Sequence, residues 1–152
     1  MPKGQIGNIL FSRIFQGEDL AEAIKKRVEE NKIKAGIFNL IGSLERAVLG
    51  YYCKGEYHSI KLDGPLEIAS CMGNISVTHH GKIIVHAHII VANDKGEAFG
   101  GHLMKDSIVG ATAELVIIEA CDVTLLRALD KKTRLNLWKE DEVNQHGRYN
   151  NN

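Results

Sequence analysis

Residues 82–104 read KIIVHAHIIVANDKGEAFGGHLM, and the spacing of the apolar side chains predicts two strands joined by a tight turn. Ile83, Val85, Ala87, Ile89 and Val91 recur at period two on one face of the first strand, and Ile84, His86, His88, Ile90 and Ala92 take the other. His86 and His88 therefore point the same way, roughly 6–7 Å apart at about 3.3 Å of rise per residue. The turn decides where the third histidine goes. Asn93-Asp94-Lys95-Gly96-Glu97 suits a three-residue hairpin loop whose Gly96 takes the left-handed conformation. In that register Asn93 faces Glu97, His88 faces His102, and Phe99 and Leu103 join the apolar face. A loop one residue shorter or longer slips the register and sends His102 to the opposite side.

Three imidazoles thus converge on one patch. Neutral imidazole suits zinc, copper, nickel and iron, and three protein ligands with one open position is the catalytic zinc arrangement. Gly100 and Gly101 leave room beside His102 for a ligand or another backbone. A lone strand histidine is more often a hydrogen-bonded, half-buried side chain. It is the third histidine, placed by register, that brings in a divalent metal, zinc first. Glu114 and Glu67 are the two carboxylates nominated to support the histidines or serve as a base; Glu114 opens the apolar run Ala113–Glu119 and reads equally as an exposed charge or a salt-bridge partner. No catalytic residue is assigned. His58, His79, His80 and His146 fall at turns or in the tail, where solvated histidine is the ordinary explanation.

The chain of 152 residues fits a single domain, long enough to bury about two-thirds of its unfolded surface. Lys plus Arg and Asp plus Glu number 19 each, so net charge gives no footprint for nucleic acid or an anionic membrane. Cys53, Cys71 and Cys121 are far apart and odd in number, which suggests neither a disulfide framework nor a thiolate zinc cluster. With no long apolar run, the expectation is a protein without membrane contact in the reducing cytoplasm.

Elsewhere, Ile6–Phe15 reads as a strand. Asp19 then caps a helix whose stripe is Leu20, Ala23, Ile24, Arg27 and Val28, ending near Asn31. Ala35–Ile41 and Leu44–Tyr52 read as two strands separated at Gly42-Ser43. Asp63-Gly64-Pro65 reads as a turn before Leu66–Ser70, and Gly73-Asn74 as a bulge before Ile75–His79. Ala113–Glu119 is a strong strand, and Cys121–Leu129 continues as strand or short helix. Short turns favour antiparallel neighbours. Residues 1–135 form the expected domain and 136–152 a polar C-terminal tail.

With those residues read, the chain resembles the plants-and-prokaryotes-conserved (PPC) domain from about Gln5 to Val123. The resemblance is carried by Gly17-Glu18-Asp19-Leu20, Ile41-Gly42-Ser43-Leu44, Gly64-Pro65-Leu66-Glu67-Ile68, Gly73-Asn74-Ile75-Ser76, Val85-His86-Ala87-His88, Phe99-Gly100-Gly101-His102-Leu103 and Thr112-Ala113-Glu114, in that order and spacing. It implies an α+β fold: a curved, largely antiparallel sheet with one main helix packed on it, assembled as a homotrimer. It also implies a metal site at His86, His88 and His102.

Members of that family are commonly labelled DNA-binding because plant relatives join the domain to AT-hooks. An AT-hook needs an Arg-Gly-Arg core, and this sequence offers only Gly147-Arg148, so the arginine that enters a narrow minor groove is missing. The leading expectation is a trimeric protein holding a divalent metal through three histidines. The alternative is a DNA-binding or chromatin-associated scaffold. A third is a structural trimer recruiting a partner through Gly64-Pro65-Leu66-Glu67-Ile68, the stretch that matches the partner-contact segment of plant relatives.

Overall fold

The structure is a computed structural model that describes residues 2–139. Its elements in order are β1 (Gln5–Phe15), α1 (Leu20–Glu30), β2 (Gly36–Cys53), β3 (Glu56–Thr78), β4 (Ile83–Ala92), β5 (Ala98–Leu103), β6 (Ile108–Cys121), β7 (Leu126–Leu129) and β8 (Asn136–Trp138).

The helix forms where capping and periodicity agree. The Asp19 carboxylate accepts the Glu22 N–H at 3.0 Å and also the Asp106 N–H at 2.6 Å, which ties the helix start to the loop before β6. Leu20, Ala23, Ile24 and Val28 are buried against the sheet, the i, i+3, i+4 stripe of an amphipathic helix. Arg27 leaves the apolar stripe to grip Glu18 through both terminal nitrogens, each at 2.9 Å.

The strands form one curved sheet in the order β1-β6-β2-β5-β4-β3-β7-β8, with β2 also paired to β3. Every pairing is antiparallel except that of β3 with β7. Because β2 pairs β3, β3 pairs β4, β4 pairs β5 and β5 pairs β2, these four strands close into a ring. Leu44, Leu49, Leu66, Ile89, Val91 and Leu103 fill its interior and merge with the helix side of the core at Ile14, Leu20, Ile24, Ile75 and Leu115.

Two expected breaks are absent, for one reason. Gly42-Ser43 does not interrupt the chain's extended run; β2 passes straight through it as a single strand. Likewise Asp63-Gly64-Pro65 is not a turn but lies inside β3. Gly64 and Pro65 together oppose the single residue Glu45, between the pairs Leu44↔Leu66 and Arg46↔Asp63. Such an irregularity bends a strand without ending it and tolerates proline's missing donor. Gly73-Asn74 stays in register, and the irregularity in the β3–β4 ladder falls between Ile68 and Ser70 instead. Residues 108–121 are one strand, and after Cys121 the chain turns before β7. The sheet also passes the boundary drawn at 135: Asn136–Trp138 pair with β7, while the remainder of the expected tail, 140–152, lies outside the described residues.

Directly paired residues share a face, so the ladders trace rows across the outside of the sheet. One row runs Phe11, Val116, Asn39, Met72, His88, His102 and Gly50; the next runs Ile9, Ile118, Ile37, Asn74 and His86. This outer face is markedly apolar: Phe11 is 77%, Ile41 60% and Ile37 57% exposed.

Candidate metal centre

The hairpin between β4 and β5 sets the site. Asn93 N–H donates to Glu97 O at 3.1 Å and Gly96 N–H to Asn93 O at 2.9 Å, with Gly96 at φ +75°. This is the three-residue loop whose register puts His88 directly opposite His102. The Asn93 side chain locks it by accepting the Lys95 and Glu97 N–H groups at 3.0 and 2.9 Å. Ala87, Ile89 and Val91 are buried on the inner face, as the alternation requires, which fixes His86 and His88 outward.

His86, His88 and His102 each present a ring nitrogen, and these atoms lie within 4.8 Å of one another. The ring centroids are 5.1 Å apart for His86–His88 and His86–His102 and 5.7 Å for His88–His102. Three nitrogens around a tetrahedral zinc stand about 3.4 Å apart, given bonds of about 2.0–2.1 Å, so small side-chain rotations close the triangle. His102 Nδ1 is buried with no hydrogen-bond partner. An orphaned imidazole nitrogen is costly, and a metal bond or a bound ligand is the kind of partner that relieves it. The donor set therefore fits a borderline divalent ion.

Burial keeps two of these rings neutral, the form that binds metal. It pushes His86 down to about 4, with His102, Arg127 and His88 adding charge against protonation. Burial and then His88 lower His102 as well. Between pH 6.5 and 4 an unfolded His86 carries its proton and the folded one resists it, so the unfolded chain binds more protons and stability falls as pH drops through that window. The metal-free protein should show a steady melting temperature above pH 7 and a decline from pH 6.5 toward 4 by scanning calorimetry. His86→Gln should remove a share of that decline. Glu18, held low chiefly by its hydrogen bond to Arg27, acts only below its ordinary 4.5.

Neither nominated carboxylate reaches the histidines. Glu114 pairs with Arg13 and Ile41 on an exposed stretch of β6, and β2 and β3 stand between it and β4, about 14 Å of sheet. Glu67 pairs with Ala92, four residues (92 − 88) along β4 from His88, or about 13 Å. Leu66 and Ile68 point into the core at 2% and 4% exposure, leaving Gly64, Pro65 and Glu67 of that segment at the surface. His79 and His80 sit in the β3–β4 turn, and neither they nor His58 join the cluster.

Three neighbours carried no sequence signal. The Tyr57 ring packs on His102 at 5.4 Å between centroids. Asn74 is the cross-strand partner of His86. Arg127 arrives on β7 from 51 residues beyond Ser76, to which its Nε donates at 2.8 Å.

The sequence profile of the Plants and Prokaryotes Conserved (PCC) domain matches residues 1–121. A crystal structure of a metal-containing protein from Archaeoglobus fulgidus superposes with a TM-score of 0.84 at 34% identity, covering 92% of this chain and 99% of that one. A plant- and prokaryote-conserved (PPC) protein of Pyrococcus horikoshii gives a TM-score of 0.84 at 33% identity, over 92% and 96%. A Bacteroides thetaiotaomicron protein provisionally described as DNA-binding shares the fold at 24% identity and a TM-score of 0.81, over 90% and 95%. The bifunctional protein GlmU of Synechococcus sp. is 29% identical over 134 residues, 88% of this chain but 20% of GlmU, so the chain spans about a fifth of that curated relative. Among the described residues no helix is long and apolar enough to cross a membrane.

Proposed function

The chain belongs to the Plants and Prokaryotes Conserved (PCC) domain family, and from that premise we propose that it holds one divalent metal ion, zinc, through His86, His88 and His102 and works as a homotrimer in the cytoplasm. The observation that carries the metal is the triangle of ring nitrogens within 4.8 Å on a strand pair whose register is fixed by its turn. A relative at 34% identity is itself a metal-containing protein. When bound, such an ion supplies a Lewis acid that polarises a water or carbonyl at its open position. The chain's own role is to hold three imidazoles outward, with burial keeping His86 and His102 neutral and Tyr57 packed against the His102 ring. With Glu67 and Glu114 both remote, a base for hydrolysis is not supplied by either. The site reads as one that binds and orients a ligand.

Self-association is supported by the outer face. Exposed apolar side chains on β1 and β2, with half-buried Val116 and Ile118 of β6 between them, mark an interaction site, and their rows lead directly to the histidines. The DNA-scaffold reading rests on the provisional description of two fold neighbours, each under 25% identical; equal numbers of basic and acidic residues leave it little of the phosphate attraction that nonspecific binding needs.

The test is elemental analysis of the untagged protein beside the His86/His88/His102→Ala triple variant, with mass by light scattering. Near one metal per chain, absent from the variant, and a mass near three chains are expected. Absence of metal from the wild type after equilibration with zinc would sink the metal reading. Retardation of an AT-rich duplex that weakens steeply with salt would put the scaffold reading ahead.

A further inference from the structure

Arg127 is 7% exposed, and its guanidinium meets only neutral acceptors. Nε donates to Ser76 Oγ at 2.8 Å, Nη1 to Asn136 O at 2.7 Å and Nη2 to Asn74 Oδ1 at 2.9 Å, and the Trp138 ring lies 5.5 Å from Cζ. No carboxylate pairs with it among the described residues. A buried cation without a counter-ion is unfavourable and is ordinarily matched by an acid. Of five guanidinium N–H donors three are used, which leaves one on each Nη.

Its position gives the missing charge a place. Asn74 and Ser76 are the cross-strand partners of His86 and Ile84, so Arg127 lies on the histidine face beside His86. A divalent ion on three neutral imidazoles would add two further positive charges to the same spot, with Glu67 and Glu114 both remote. A cleft of about 530 Å³ reaches His102 and Tyr57 from the helix side of the sheet, where Ile24, Val85, Ala87 and Leu103 line it and Lys25, Lys82 and Lys105 stand on its wall. Lys105 pairs with the cleft's one acid, Glu22, at 2.5 Å and Lys25 with Glu29 at 3.7 Å, which leaves Lys82 as the unpaired charge on that wall among the described residues.

We propose that the open position of the metal takes the oxyanion end of a small ligand, a carboxylate or phosphate, with buried Arg127 as the fixed counter-charge. This rests on the metal reading above and adds to it the class of ligand. Arginine suits the role because its charge persists in a buried setting and its paired donors match two oxygens of a carboxylate or phosphate.

The experiment loads the full chain with cobalt(II), whose visible absorption reports inner-shell ligands, and titrates in inorganic phosphate and, separately, acetate. The expected result is a saturable spectral change with at least one of them. In Arg127→Gln the anion should bind at least tenfold more weakly while cobalt binds as tightly as before or more so, because one repelling charge is gone. Arg127→Lys, which keeps the charge, should stay within a few-fold of wild type. A wild-type chain that takes up cobalt but whose spectrum ignores both anions overturns this inference and leaves the metal reading standing; no cobalt uptake overturns both. Equal anion affinity in Arg127→Gln assigns Arg127 a purely structural role and also overturns it. Should Arg127→Gln fail to fold, the wild-type titration and Arg127→Lys still decide.

Discussion

A His88→Ala chain is expected to lose metal binding by about 1000-fold while remaining folded. Removing a group that merely supports a ligand costs about 10–100-fold in metal affinity, and His88 is one of the three proposed ligands. Its ring is exposed and makes no hydrogen bond that the β4 backbone depends on, since β4 is held by ladder bonds to β3 and β5. The metal-free variant should therefore unfold within about 0.5–1 kcal/mol of wild type in urea. The contrast appears on adding zinc. At a free concentration 1000 times the wild-type Kd, binding stabilises wild type by about 4 kcal/mol and the variant by about 0.4. An equal thermal shift in both would remove His88 from the site.

Gly73→Ala is expected to produce a large loss of stability from a single methyl group. Gly73 lies between Phe38 on β2 and Ala87 on β4, and an added Cβ would stand 2.3 Å from the His86 carbonyl oxygen and 2.4 Å from Phe38 Cζ. Overpacking alone costs about 1–3 kcal/mol. Here one obstacle is backbone and cannot rotate away, so about 3 kcal/mol or more is expected by chemical denaturation. Phe38→Leu should relieve the ring contact, making the double variant at least about 1 kcal/mol more stable than the sum of the two single losses predicts. The carbonyl contact remains, so full recovery is not expected. Simple additivity would mean that the ring is not what the new methyl meets. Zinc affinity should fall in parallel, because the displaced atom belongs to His86, one of the proposed ligands.

The histidine triangle was legible in the sequence because three local rules coincide. Period-two alternation sets the face of His86 and His88, and a three-residue loop then fixes the register that brings in His102. The helix was legible for a similar reason, cap and stripe agreeing at Asp19, Leu20, Ala23, Ile24 and Val28. What the sequence does not carry is which distant strands become neighbours. Gly42 and Gly64-Pro65 look like chain breaks until the opposing strand is known, when they become places where long strands bend. Glu67 and Glu114 have the right chemistry, but strand order leaves both away from the metal ligands. Arg127 gives no local signal at all: it reaches Ser76 through a parallel pairing of β7 with β3, a contact set by tertiary packing.

The closed circuit of β2, β3, β4 and β5 bears on how the metal comes and goes. A strand at the margin of an open sheet peels from its free side, carrying its side chains with it. At His88 the backbone is flanked by Met72 and His102, and at His102 by His88 and Gly50, so neither position has a free side. Amide protons there should exchange slowly even in metal-depleted protein, and ion release should proceed by rotation of imidazoles over a stationary backbone. His86 differs, because β5 ends at Leu103 and leaves it paired to β3 alone. In a metal-loaded chain, that end of the triangle is where the first of the proposed ligands should let go.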